Sequence, residues 1–300
     1  MVGYLFAGQG SQYKGMGKDL YESFPEAKAV FDKADQVLGF SLSKLCFEGS
    51  QEELTKTNNC QPAIVTTTIA AWEAFKSVNR VEADAYAAGL SLGEYSALVA
   101  SAAIKFEDAV YLVRRRGEFM EEEARKQPGK MLSIIGLEYA QVKQVCDEAL
   151  VEIANLNSPG QIVVSGGADN ILKAQSLAKD KGAKLALILD VSGAFHSSFM
   201  SGVSLKLAQE LEKIEINVPK IPVICNVSAK PALSVREIKD NLIRQIASSV
   251  LWEDSMKFML LRGVKNFIEF GPGKVLKGLM YRISPASPVL TVEKKEDIGT

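Results

Sequence analysis

The chain has 300 residues, of which 47% are hydrophobic, so it can bury one large core, or one core with a smaller satellite. Its 35 basic and 36 acidic residues nearly cancel, which argues against a broad nucleic-acid-binding surface. The longest apolar runs fall far short of the roughly 20 residues that cross a bilayer, and the N-terminus shows no basic leader before a long apolar stretch. We therefore expect a cytoplasmic protein that binds neither nucleic acid nor membrane.

The cysteines give no sign of a metal site or a disulfide framework. Cys46, Cys60, Cys146 and Cys225 are widely separated and include no Cys-x-x-Cys pair. We expect them to be small buried hydrophobic residues, and we expect no bound metal.

Short strand-like runs alternate with helical patterns along most of the chain, which predicts an α/β fold with a parallel sheet. In chain order, the patterns predict a strand over 3–7, a helical stretch over 16–38, a strand over 85–88 and a helix over 94–100. After residue 191 they predict a helix over 201–212, a strand over 222–226, a helix over 235–246 and a strand over 266–270. Both halves should share one core.

The segment between the two halves has a different pattern. It predicts a strand over 131–136, a helix over 139–150, strands over 151–154 and 161–165 around a turn at 157–160, a helix over 170–181 and a strand over 184–189. This βαββαβ order is typical of a ferredoxin-like fold. We predict a small ferredoxin-like domain of residues 126–190, inserted into an α/β-hydrolase-like catalytic domain of residues 1–125 and 191–300.

A candidate nucleophile lies between a predicted strand and a predicted helix. Residues 89–93 match the pattern G-x-S-x-G, in which a tight turn lifts the serine hydroxyl clear of the sheet. The glycines are needed because side chains would collide in so tight a turn. At the start of a helix, Ser91 would also lie near backbone N–H groups that favour negative charge on an attacked carbonyl oxygen. The alternative is a glycine-rich turn without chemistry.

The base is predicted by elimination. A serine hydroxyl needs a base to act as a nucleophile at neutral pH, and His196 is the only histidine in the chain. A lone histidine is more often structural, but a catalytic Ser91 makes His196 its only ordinary candidate base, so the two are predicted together. The group that orients the imidazole stays open, since Asp190 is near in sequence but could equally be a turn residue.

Three separated motifs make a family resemblance specific. They are Gly-Gln-Gly-Ser-Gln at 8–12, the serine turn extended through residue 98, and Glu-Phe-Gly-Pro-Gly-Lys at 269–274. With these motifs in this order, the chain resembles malonyl-CoA:acyl carrier protein transacylases over nearly its whole length. The resemblance implies transfer of a malonyl group from malonyl-CoA to the phosphopantetheine thiol of holo acyl carrier protein, for fatty acid synthesis. It implies a malonyl-serine ester, no cofactor and a monomer.

The resemblance also assigns roles to single residues. The backbone N–H groups of Gln9 and Leu92 would form the oxyanion hole. Arg116 would hold the free carboxylate of the malonyl group, a task that suits the bidentate guanidinium. The main-chain carbonyl of Gln245 would orient the catalytic histidine, so its side chain is expected to be replaceable.

Two positions bear on the choice of acyl group. Phe195 matches a bulky aromatic residue that favours malonyl over methylmalonyl groups in the transacylase family that the chain resembles. Many members of that family carry a histidine where this chain has Leu90, so the prediction of a base rests on His196 alone.

Three alternatives remain beside this prediction. A trans-acting acyltransferase of a polyketide synthase would use the same residues. A serine esterase or thioesterase could use Asp190 as its acid, but it gives Arg116 no task. A catalytically inactive scaffold that binds only carrier protein would not need Ser91, His196 and Arg116 together.

Overall fold

The computed structural model describes residues 1–299 and contains two sheets. The strands are β1 (Val2–Phe6), β2 (Ala85–Gly89), β3 (Gly129–Ile135), β4 (Glu152–Ser158), β5 (Gln161–Gly167), β6 (Leu185–Ile188), β7 (Val223–Cys225), β8 (Lys230–Pro231), β9 (Asn266–Phe270) and β10 (Val289–Val292). The helices are α1 (Lys18–Ser23), α2 (Pro25–Leu38), α3 (Leu42–Glu48), α4 (Gln51–Thr55), α5 (Thr57–Val78), α6 (Gly93–Ala100), α7 (Phe106–Lys126), α8 (Tyr139–Ala149), α9 (Ala168–Asp180), α10 (Ser201–Leu211), α11 (Val235–Gln245), α12 (Trp252–Leu261) and α13 (Val275–Ile283). Two short 3-10 helices cover Ser198–Met200 and Lys295–Asp297.

The larger sheet brings the three sequence motifs to one edge. Its strand order is β10-β9-β1-β2-β7-β8, and every neighbouring pair is parallel except β7 and β8. Phe6 at the end of β1 pairs with Gly89 of β2 on one side and with Phe270 of β9 on the other. The three segments that follow these strands therefore start side by side, at the carboxyl edge where parallel sheets bind their ligands.

An aromatic cluster packs the central strands against helix α5. The Trp72 ring lies 5.8 Å from the Phe6 ring and 5.0 Å from the Phe270 ring, centroid to centroid. Helix α5 is buried around most of its circumference, as expected of an apolar helix in the middle of a core. This packing holds β1 and β9 firmly beneath the motifs that follow them.

The smaller sheet is antiparallel, with strand order β4-β5-β3-β6. Helices α8 and α9 cover it through their own apolar cluster, which includes Leu132, Val145, Val164 and Ile171. Two backbone hydrogen bonds join β4 to the segment before α12, from Leu156 N–H to the Val250 carbonyl and from Val250 N–H to the Ala154 carbonyl, both 2.9 Å long. Together with the parallel pairs of the larger sheet, this arrangement confirms the prediction of a mixed α/β fold rich in parallel pairing.

Several predicted element bounds differ from the structure. The helical stretch expected over 16–38 is two helices, because Phe24 adopts an extended conformation before Pro25. A residue before proline avoids the helical region for steric reasons. The predicted turn at 157–160 is also shorter, because β4 continues to Ser158 and Gly160 provides the positive φ of the tight turn. Within residues 1–299, no helix is both long and apolar enough to span a membrane.

Candidate functional site

The turn that carries Ser91 is tight and strained. Ser91 has a φ of 50°, in the left-handed region, between strand β2 and helix α6. A Cβ atom on Gly89 would lie 1.9 Å from the carbonyl carbon of Gly93, and one on Gly93 would lie 2.2 Å from the Phe6 oxygen. Both flanking positions therefore require glycine. A non-glycine residue in this conformation costs about 1–3 kcal/mol and persists only where surrounding contacts enforce it.

Ser91 and His196 form a hydrogen-bonded pair. The Ser91 Oγ lies 2.7 Å from Nε2 of His196, and Nδ1 of that ring lies 2.8 Å from the main-chain carbonyl oxygen of Gln245. Because a carbonyl oxygen can only accept, Nδ1 must carry the proton and donate it. Nε2 is then free to accept the serine proton, which is the arrangement of a general base.

Asp190, the other candidate for orienting the imidazole, lies elsewhere on the cavity wall. Its side chain is exposed, whereas the hydrogen-bond partner of Nδ1 is the Gln245 carbonyl. Of the two candidates, the Gln245 carbonyl is the one that contacts the imidazole.

Arg116 is almost wholly buried beside the nucleophile, with 1% of its surface exposed. Its Nη2 donates to the Ser91 Oγ and to Oε1 of Gln245, each at 3.2 Å. Its Nη1 donates to Oε1 of Gln61 at 2.9 Å. Within residues 1–299, its Nε–H has no hydrogen-bond partner. All these acceptors are neutral, so the guanidinium keeps its charge and spare donors for an anionic ligand.

Sequence reasoning missed a buried network behind the turn. Glu94 is 2% exposed, and its Oε2 accepts from the Asn226 backbone N–H at 3.0 Å and from Nε2 of Gln245 at 2.8 Å. Burial raises the pKa of Glu94 to about 7, although these donors and the charge of Arg116 oppose the shift. The only sequence signal was an acidic residue in an otherwise apolar helix.

The two predicted oxyanion donors lie on either side of the serine. Within the described part of the chain, neither the Gln9 N–H nor the Leu92 N–H donates a hydrogen bond to the protein. Leu92 immediately precedes α6, and Gln9 lines the same cavity as Ser91. Their positions allow both donors to serve a bound ligand.

The cavity in front of Ser91 has a volume of about 300 Å³. Met120, Met131, Val163 and Phe195 give it apolar walls, with Phe195 only 5% exposed. Leu90 also lines the cavity, at a position where many members of the transacylase family that the chain resembles have histidine. The cavity therefore combines one buried cation with apolar walls, which suits a short acyl group that ends in a carboxylate.

Within residues 1–299, no cluster of three histidine, cysteine or acidic side chains could hold a metal ion. The cysteines are free and buried, and burial raises the pKa of the Cys60 thiol to about 12. These thiols are therefore protonated and unreactive near neutral pH.

The pH dependence of the site should be unusual for a histidine base. Burial, and then the charge of Arg116, lower the pKa of His196 to about 4. Because Glu94 in the same network titrates near pH 7, the test uses Glu94→Gln, in which we expect the rate constant for Ser91 acylation at subsaturating thioester to stay level from pH 7 to about 5.5 and to fall only as the imidazole protonates at lower pH. Rapid-quench measurements from pH 4.5 to 8 test this, and a midpoint near the ordinary histidine value of about 6.5 would contradict it.

The side chain of Gln245 makes several buried hydrogen bonds, which argue against the expectation that it is replaceable. It bonds to Arg116, to Glu94 and, through Nε2, to the Ser91 carbonyl at 3.1 Å. We expect Gln245→Ala to lower the acylation rate about 10- to 100-fold, or about 1.4–2.8 kcal/mol, because Arg116 and the Ser91 carbonyl each lose a buried partner that helps to position them.

The same quenched-reaction assay distinguishes the two roles of Gln245. The variant keeps the carbonyl that orients the imidazole, so its loss should stay smaller than that of His196→Ala. Arg244→Ala, at an exposed position on the same helix, is the matched control. Equal losses in Gln245→Ala and His196→Ala would contradict the backbone role.

Comparison with known proteins places this site in a family. Residues 3–279 match the model of the acyl transferase domain. The malonyl CoA-acyl carrier protein transacylase of Bacillus subtilis (strain 168) is 48% identical over 302 residues, which cover 99% of this chain and 95% of that protein.

Solved structures agree with the sequence match. An acyl carrier protein S-malonyltransferase from Vibrio cholerae O1 biovar eltor str. N16961 superposes with a TM-score of 0.94 at 39% identity, covering 99% of this chain and 98% of that one. A type II PKS acyl-carrier protein complex with its malonyl-transacylase, PlMCAT:AntF, matches with a TM-score of 0.95 at 37% identity, covering 99% and 97%. The resemblance seen in the motifs is confirmed, and the chain belongs to the acyl transferase domain family.

Proposed function

We propose that the chain transfers a malonyl group from malonyl-CoA to the phosphopantetheine thiol of holo acyl carrier protein, through a malonyl ester of Ser91. The observation that carries this proposal is the buried Arg116 guanidinium, 3.2 Å from the hydroxyl of a serine that is paired with a histidine. An acyl pocket with a fixed cation at its reacting end favours an acyl group that carries its own carboxylate.

In the first half-reaction, the Ser91 Oγ attacks the thioester carbonyl carbon while Nε2 of His196 accepts the hydroxyl proton. The carbonyl oxygen becomes an oxyanion and accepts hydrogen bonds from the N–H groups of Gln9 and Leu92. Collapse of this intermediate breaks the carbon–sulfur bond. The imidazolium returns its proton to the departing thiolate, which leaves as coenzyme A.

Arg116 holds the other end of the acyl group. In a malonyl thioester the carboxylate carbon is two bonds from the carbonyl carbon, so a guanidinium within reach of the Ser91 Oγ is also within reach of the carboxylate. The carboxylate can replace the neutral oxygens of Gln61 and Gln245 as the acceptor. This exchange turns neutral hydrogen bonds into charge-assisted ones, which are roughly twice as strong.

The second half-reaction reverses the roles. The carrier's phosphopantetheine thiol enters the cavity, gives its proton to His196 and attacks the malonyl ester carbon. The ester bond to Oγ breaks, and the imidazolium reprotonates Ser91. Kinetics should be ping-pong, with water kept from the ester by the apolar walls.

Phe195 is the proposed selector against branched acyl groups. Its buried ring lies on the wall beside His196, where an α-methyl group would need space. Exclusion of one methyl group in an apolar pocket is worth about 1–3 kcal/mol, so the preference for malonyl over methylmalonyl is expected to be incomplete.

We also propose the finer architecture. Residues 1–125 and 191–300 form an α/β-hydrolase-like catalytic domain, and residues 126–190 form a ferredoxin-like domain. The strained serine turn after β2 and the order β4-β5-β3-β6 support these assignments. The same proposal includes a monomer in the cytoplasm that supplies fatty acid synthesis and binds neither nucleic acid nor membrane. Its near-zero net charge supports the absence of a nucleic-acid surface.

Intact-protein mass spectrometry after brief exposure to malonyl-CoA tests the function. We expect a malonyl adduct that is absent in Ser91→Ala and is discharged by holo acyl carrier protein. Ser96→Ala is the matched control, because it removes a buried hydroxyl in the adjacent helix α6 that has no hydrogen-bond partner among residues 1–299. Rapid hydrolysis without an adduct would instead indicate an esterase, and no reaction would indicate a scaffold.

A further inference from the structure

Asn226 lies directly behind the nucleophile turn and is completely buried. It follows strand β7, which runs parallel to β2 with Ile224 paired to Ala88. This register carries the Asn226 side chain to the level at which β2 ends and the turn begins. Nothing in the proposed reaction uses this residue.

The Asn226 amide bonds to both sides of the turn. Its Oδ1 accepts from the Ser91 backbone N–H at 2.6 Å, and its Nδ2 donates to the Gly89 carbonyl at 2.8 Å. Both partners are backbone groups of fixed polarity, so only one orientation of the amide satisfies them. The side chain thus spans the turn from the residue before Leu90 to the residue after it.

We propose that Asn226 is a positioning residue for the nucleophile: its amide closes the turn and holds Ser91 in the left-handed conformation that directs the hydroxyl toward His196. The inference rests on the proposed role of Ser91 as nucleophile. A strained backbone needs surrounding contacts that enforce it, and one amide bond acts at the strained residue Ser91 while the other holds Gly89 on the opposite side of the turn. Among residues 1–299, the backbone closes the turn only on its helix side, from Gly93 N–H to the Leu90 carbonyl at 3.0 Å, whereas the bond from Leu90 N–H back to the Phe6 carbonyl of β1 is long at 3.4 Å.

The Asn226 contacts also determine which donors face the substrate. Because the Ser91 N–H is already bonded to Oδ1, it is withheld from an oxyanion, whereas the N–H of Leu92 stays free. The Asn226 backbone N–H bonds to Glu94, which in turn accepts from Gln245. One buried network therefore positions the serine and the residue that orients the histidine.

The test compares Asn226→Ala and Asn226→Leu with the wild-type chain. Leucine has the same branched outline as asparagine and leaves no empty space, but it makes no hydrogen bond, so a loss that it shares with alanine does not come from a cavity. Asn241→Ala is the matched control, because Asn241 is buried at 7% exposure but makes none of the bonds to the turn. Each protein is measured for thermal unfolding, single-turnover malonylation by malonyl-CoA, and labelling by phenylmethylsulfonyl fluoride.

We expect both Asn226 variants to lose about 10- to 100-fold in the maximal malonylation rate, since small misplacements of a nucleophile cost that much. The malonyl-CoA concentration at half-maximal rate should change less than about threefold, because Arg116 is untouched. Labelling by the uncharged sulfonyl fluoride should fall in parallel, since it reports on Ser91 without involving a carboxylate.

Several outcomes would overturn the inference. A lower unfolding temperature with an unchanged maximal rate would make Asn226 merely structural, and recovery of the rate in Asn226→Leu would make its role one of packing. If neither variant folds, Asn226→Ser takes their place and must show the same loss of maximal rate. Failure of the wild-type chain to form a malonyl adduct would instead refute the proposed function.

Discussion

His196→Ala is expected to slow malonylation of Ser91 by about 100- to 10,000-fold, the range that a positioned general base contributes. The Ser91 Oγ and Nε2 of His196 already lie at hydrogen-bond distance, 2.7 Å. The Gln245 carbonyl fixes the tautomer in which Nε2 accepts. Alanine leaves the hydroxyl with no base. Arg116 also donates to that hydroxyl oxygen but stays protonated, so it cannot accept the proton.

Rapid-quench mass spectrometry at saturating malonyl-CoA measures this loss. The half-saturating concentration should change little, because Arg116 and the oxyanion donors remain. Added imidazole should restore part of the rate by entering the space that the ring leaves. Ser198→Ala, at the start of the 3-10 helix that follows His196, is the control for local damage, because its hydroxyl bonds to Glu152 and not to the site. A rate within tenfold of the wild-type value would remove His196 as the base.

Arg116→Ala is expected to reverse the preference for malonyl-CoA over acetyl-CoA. The malonyl carboxylate would lie unpaired beside buried groups, and loss of one partner of a buried ion pair costs about 3–5 kcal/mol. The value of kcat/KM for malonyl-CoA should fall at least about 100-fold, at roughly 1.4 kcal/mol per factor of ten. Transfer from acetyl-CoA, which makes no such pair, should be preserved or improved.

Measuring kcat/KM for both thioesters under identical conditions tests this reversal. Arg116→Lys keeps a charge without the planar fork, and we expect an intermediate preference. Arg114→Ala, on the same helix, removes an arginine that pairs with Glu118 outside the cavity, and it is the matched control. If malonyl and acetyl transfer fell equally in Arg116→Ala, the guanidinium would have a structural role only.

The residues that sequence predicted best are those with a local pattern or a unique chemistry. Ser91 stands in a recognisable turn, and His196 is the only imidazole, so the pair could be predicted before any geometry was available. Arg116 and the Gln245 carbonyl required the family resemblance. A backbone contact leaves no pattern of its own in one sequence.

Glu94, Asn226 and Gln61 escaped prediction for a physical reason. Each matters through partners distant in sequence, as with Asn226 and Ser91, which are 135 positions apart. Buried amides are chemically common and signal a role only when the fold brings them to a strained or charged group. The interrupted helix before Pro25 was different, because its signal was present in the sequence and was overridden by an apparently continuous helical pattern.

The residues that line the cavity come from two different parts of the fold. Met131 and Val163 lie on strands β3 and β5 of the antiparallel sheet, but their side chains pack into the apolar cluster of the larger sheet and not into the cluster beneath α8 and α9. Ser91 and Asn226 follow strands β2 and β7 of the larger sheet, and Glu94 and Gln245 lie on helices α6 and α11. Substitutions at Met131 or Val163 can therefore change the shape of the acyl pocket from two strands that make none of the side-chain hydrogen bonds to Ser91. Proteins that share this fold can therefore differ in the acyl group they accept while the residues that carry out the reaction stay the same.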